Sequence, residues 1–130
     1  MNTLKELLKD SIIPIDLMRG YLDTALWSST DWDTNEPLDS LYSVDDFDEQ
    51  TIRDQIVDIT DFLNQCEKDK LDFEGMEDST IGHNFWLNRC GHGAGFWDSG
   101  LKDGNKISDI CKYNRAESAY LGDDQNIYIC

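Results

Sequence analysis

Cys90, His92 and Asp98 are the nearest approach in this chain to a nucleophile, a base and an orienting carboxylate. In such an arrangement His92 would take the proton of the Cys90 thiol while Asp98 held the imidazole in place. The thiol would need a cationic neighbour to ionise near neutral pH, and Arg89 and His92 are close in sequence. Against this, the three residues flank Gly91-His92-Gly93-Ala94-Gly95, a glycine-rich turn with an exposed tip and no evident supporting shell. The sequence is therefore read as a non-enzyme with no catalytic residue. His83, Cys90 and His92 are also zinc-ligand types, but a lone Cys-Gly-His has no clear fourth ligand nearby. Asp31-Trp32-Asp33-Thr34-Asn35 opens like a calcium loop. It then places Glu36 where a glycine is required and Tyr42 where a bidentate glutamate belongs, so a solvated turn is the better reading. No metal and no cofactor is expected.

The strongest chemical signal is the distribution of charge. The chain has 130 residues, with 27 acidic side chains against 11 Lys and Arg and a net charge of -16. Residues 31–78 hold 17 of the carboxylates and three of the basic groups, a local net of -14. Affinity for nucleic acid or for an anionic membrane rests on Lys and Arg, so direct binding to either is disfavoured. A protein partner with a basic surface is favoured. The candidate partner-binding residues are Asp45, Asp46, Asp54, Asp58 and Asp61. On a helix, Asp54, Asp58 and Asp61 stand about 6 and 4.5 Å apart along the axis and form one stripe. Like charges at this spacing cost helix stability, so good packing or a purpose must offset them. The plain alternative is a solvated face that keeps the protein soluble.

A second candidate patch is aromatic. Trp86 and Trp97, with His92 and Asp98 between and beside them, would mark a recognition surface if they shared the outer face of a sheet. Core packing is the competing reading.

The elements that position these residues follow from periodicity. Thr3 caps a short helix over 3–10, and Pro14 opens a second that runs to about Trp27 with Ile15, Met18, Leu22, Ala25 and Leu26 on one stripe. Gly20 weakens its interior. Residues 28–42 read as a surface loop of unusual length. Ile52, Ile56, Ile59, Leu63 and Cys66 define a long helix over roughly Asp48 to Lys68 with the aspartate stripe opposite. His83 to Arg89 reads as a strand, turning at Gly91–Gly93 to a partner strand over Ala94 to Asp98. Asn105 to Tyr113 is a short helix, and 119–121 with 126–129 form a second hairpin. The expected fold is a single α+β domain, with N-terminal helices packed on a small antiparallel sheet made of two C-terminal hairpins. Residues 1–78 are expected to be mainly helical, and 79–130 mainly strands with one short helix. Cys66, Cys90, Cys111 and Cys130 are read as free thiols, with Cys130 exposed. The N-terminal MNTLKELLKD has no apolar signal core, and no stretch is long enough to span a bilayer, so a cytoplasmic protein is expected. The oligomeric state stays open.

The stretch HNFWLNRCGHGAGFWDSGL (83–101) resembles a motif, GH(D/N)FWLxRxGHGAGFWDxGL, of small acidic bacteriophage proteins of unassigned function. The resemblance extends to ALWSSTD (25–31), YSVDDF (42–47) and AYLGDDQNIY (119–128). This chain departs from the pattern mainly at Cys90, where a polar residue is common, and in a shorter C-terminus. The resemblance implies a bacteriophage origin, hence a host cytoplasm, and supplies no catalytic residues. Together with the charge it implies an acidic protein that binds and inhibits a host DNA-binding or defence protein, with DNA mimicry as the mode. The alternative is a module that recognises a peptide, nucleotide or host protein through Trp86, His92 and Trp97.

Overall fold

The computed structural model describes residues 3–31, 33–91, 95–112 and 118–129. In chain order the elements are α1 (Leu4–Leu7), α2 (Ile15–Trp27), α3 (Glu49–Lys68), α4 (Asp78–Cys90), α5 (Gly104–Lys112), β1 (Ala119–Leu121) and β2 (Ile127–Ile129). Short 3-10 turns lie at Leu38–Ser40, Val44–Asp46 and Phe96–Asp98. The class is α+β. The strands pair antiparallel, Ala119 opposite Ile129 and Leu121 opposite Ile127.

Local chemistry sets the helix starts. The Thr3 hydroxyl oxygen caps α1 by accepting from the Glu6 N–H, and the hydroxyl donates to the Glu6 carboxylate. Asp48 caps α3 by accepting from the Thr51 N–H and hydroxyl, while its own N–H donates to the Ile127 carbonyl. One residue thus starts the long helix and ties it to β2. Pro14 sits at the N-cap of α2, one position earlier than the first helical turn.

One expectation is overturned. His83 to Arg89 is the second half of α4, not a strand, so among the described residues one of the two hairpins is absent and those of 79–112 are mainly helical. α4 buries Ile81, Gly82, Asn84, Phe85, Trp86, Leu87 and Arg89. A helix buried on nearly every side shows no 3.6-residue stripe, and a short aromatic run then looks like a strand. Gly91 is its left-handed C-cap at φ 69°, donating back to Asn88 and Leu87, rather than part of a hairpin turn.

α4 lies against α2 at very close range. A Cβ on Gly82 would enter the Leu17 carbonyl, and one on Gly20 would enter the backbone of Ser79. The interior glycine of α2 is therefore a contact surface for a helix crossing. Around this crossing the rings stack: Phe62 on Phe85 at 4.1 Å, Tyr21 on Phe85 at 5.6 Å, and Tyr21 edge-on to Trp86 at 5.4 Å. Ile59, Phe96, Ile107, Cys111 and Ile127 complete a continuous core.

Candidate functional site

Among the described residues of 83–101, most of those on α4, together with Phe96, are spent on packing and internal hydrogen bonds. Trp86 is fully buried, and its indole N–H donates to the Ser28 hydroxyl at 2.8 Å. This removes it from the aromatic patch expected with Trp97: the two do not share an exposed face, because α4 turns Trp86 into the core. Asn88 Oδ1 accepts from the Phe96 N–H at 2.7 Å and from the Ser108 hydroxyl at 3.1 Å. Asn84 donates to the Ser99 hydroxyl, which donates to the Gly95 carbonyl. The Asp98 carboxylate accepts from the Gly95 N–H at 2.9 Å. Gly95 has φ 144°, and a Cβ there would strike the Asn88 amide. Two asparagines of α4 thus grip the Gly95–Ser99 turn and, through Ser108, the middle of α5. Trp97 stands apart, 50% exposed.

Cys90 is partly buried at the end of α4. His92 lies outside the described residues, as does Cys130, so the Cys90–His92–Asp98 arrangement is placed only in part. Burial pushes the Cys66 thiol up to about 12, with Asp69 adding to the shift, and raises Cys111 as well. His83 Nδ1 and Thr24 Oγ1 are hydrogen-bonded at 2.9 Å, and the Thr24 hydroxyl also reaches the Gly20 carbonyl at 2.7 Å. Its ring stacks on Trp27, and burial holds its pKa below the ordinary 6.5. In the calcium-like segment Asp31 Oδ1 accepts from the Asp33 N–H, and the Asn35 N–H closes onto the Asp31 carbonyl. That is a self-contained turn. Among the described residues no group of three His, Cys, Asp or Glu side chains is arranged to hold a metal ion.

The acidic segment is at the surface. Twelve of its 17 carboxylates are exposed and five are half-buried. Their environments differ. Asp54 and Asp61 project from the outer face of α3, with Asp54 accepting from Gln50 at 3.0 Å. Asp45 is exposed, while Asp46 closes a capping box onto the Ser43 N–H. Glu74 accepts from the Lys102 N–H at 2.6 Å, and Asp103 accepts from the Asp72 N–H, which pins the acidic 69–77 loop against the start of α5.

Asp58 departs from the stripe. Its carboxylate pairs with Arg89 at 3.0 Å, and Arg89 is only 4% exposed. The other guanidinium nitrogen donates to the Tyr21 hydroxyl at 2.6 Å and to Gln55 Oε1 at 2.9 Å, and Tyr21 donates to Gln55. Arg89 also lies 5.3 Å from the centre of the Phe85 ring. This buried network joins α2, α3 and α4. The sequence pattern missed it because the buried face of α3 is Ile52, Gln55, Ile59, Phe62 and Cys66. That face is centred about 40–50° from the Ile52, Ile56, Ile59, Leu63 and Cys66 arc, with which it shares Ile52, Ile59 and Cys66, at about 100° per residue. The rotation carries Asp58 from the solvent side to the edge of the interface. The one available signal was Arg89 itself, a cation among apolar residues, which requires an anion when buried.

The chain matches no protein-family description, no curated protein and no solved structure in comparisons with each. Among the described residues, no helix is long and apolar enough to cross a membrane.

Proposed function

We propose that this chain is a bacteriophage-encoded, non-enzymatic acidic protein that acts in the host cytoplasm by binding and inhibiting a host protein with a basic surface. A DNA-binding or defence protein is the target class, and carboxylates standing in for phosphates are the mode. One observation carries the reading. Among the described motif residues, Trp86, Asn88, Arg89 and Phe96 hold the fold together, whereas Asp45, Asp54 and Asp61 face solvent within a segment of net charge -14. A field of that sign steers a basic partner and excludes nucleic acid. Asp58 belongs to the fold, which leaves Asp45, Asp54 and Asp61 as the exposed partner-binding candidates, with Asp46 half-buried.

The test uses the intact chain as bait in host lysate beside an Asp45→Asn, Asp54→Asn, Asp61→Asn variant. Partners captured by the wild type are purified and titrated against both proteins at low and high salt. The expected result is affinity that falls steeply with salt, lost binding in the triple variant, and competition by duplex DNA. Salt-independent binding that survives the triple variant but not Trp97→Ala would instead support recognition through the aromatic segment, a reading favoured only by the exposure of Trp97.

A further inference from the structure

On one side of α3 the acidic surface is interrupted. Between the turn after α1 and the α3 residues Arg53, Ile56 and Thr60 lies an open groove of about 670 Å³. Leu7, Ile12 and Ile56 line it, and its charges balance, Glu6 and Asp10 against Lys9 and Arg53. Ile12 is 59% exposed. Val57, also 59% exposed, sits one turn along α3 from Arg53 and borders the same face. Leu7 and Ile56 beside them are only partly covered. The chain leaves an apolar strip open between two cations and two carboxylates.

We propose that this groove is the surface on which two copies of the chain pair about a two-fold axis. Such an interface sets one patch against itself, so the patch must be self-complementary. Most of this surface is not, because at a net charge of -16 carboxylates would meet carboxylates. The groove is neutral and carries both signs. Lys9 and Arg53 of one copy face Glu6 and Asp10 of the other, and the Ile12 and Val57 side chains pack between them. Arg53 is held at present by Glu49 at 3.5 Å across an exposed helix turn, a pair weak enough to exchange. The pairing itself does not depend on the proposed function.

Sedimentation equilibrium of the full chain from about 1 to about 200 µM tests this over the affinity range of a modest interface. The mass should rise from 14.9 kDa toward twice that value with concentration. Ile12→Asp and Val57→Asp should each raise the dissociation constant at least about tenfold. Arg53→Glu should also weaken pairing, and Trp97→Ala should leave it unchanged. Circular dichroism identifies any variant that has lost its fold, and the remaining variants then decide. A wild type that stays monomeric throughout, as when the groove serves a different partner, overturns the proposal. So does a dimer that survives both aspartate substitutions.

Discussion

Replacing Asp58 by Asn separates the fold from the acidic surface. The change leaves an oxygen near Arg89 Nη2 but removes the charge that balances a guanidinium only 4% exposed. Breaking a fully buried ion pair costs about 3–5 kcal/mol. The Asp58 side chain is 37% exposed, so water already screens its end of the pair, and the retained amide oxygen keeps a hydrogen bond. The expected loss is about 1–2 kcal/mol, a fall in Tm of about 3–8 °C for a chain of this size. Asp54→Asn and Asp61→Asn lie four and three residues from Asp58 on the open side of α3 and relieve repulsion there. They should fall within about 0.5 kcal/mol of wild type, on the stabilising side. Urea unfolding followed by circular dichroism measures all three under one slope. A double-mutant cycle with Arg89→Met should give a coupling of about 1 kcal/mol or more between positions 58 and 89. Three asparagine variants of equal stability, or a coupling near zero, would refute the idea that Asp58 serves the core and not the stripe.

Three further outcomes are expected. Gly82→Ala should destabilise by about 2–3 kcal/mol or more, because its Cβ meets the Leu17 backbone and neither helix can yield without losing the stacked rings; thermal unfolding reads this, and a neutral result would contradict the close α2–α4 crossing. Trp97→Ala should change stability by less than about 1 kcal/mol, whereas Trp86→Ala should cost about 3–5 kcal/mol or prevent folding, as chemical denaturation of the two variants will show. The His83 pKa is lowered on folding, so below the ordinary 6.5 the unfolded chain takes up a proton that the folded chain refuses. His83 should therefore contribute a loss of stability as pH falls from about 6.5 toward the folded-state pKa, and His83→Asn should flatten that segment. Titration of the His83 ring by NMR with a midpoint at or above 6.5 would contradict the burial effect.

Much of the local structure was legible in the residues. Thr3 and Asp48 mark helix starts because their side chains satisfy orphan N–H groups within three residues. The long helix at 49–68, the short helix at 104–112 and the hairpin at 119–129 each bury one face, and a one-faced element prints its period on the chain. The net charge and its concentration in residues 31–78 need no folding at all. Only tertiary structure decided the rest. α4 is covered on nearly every side, so its apolar and aromatic residues carry no period, and its identity depends on what α2, α3 and α5 place around it. Gly20 reads as a weakness in one helix until Gly82 of another lies against it. Asp58 is indistinguishable from Asp54 and Asp61 by type and spacing. A rotation of about 40–50° of α3 about its axis, set by where Phe62 and Gln55 find partners, turns it from a surface charge into the counter-ion of a buried arginine. Pairings between residues 21, 55, 58 and 89 are chosen by packing in three dimensions, and no periodicity along the chain encodes them.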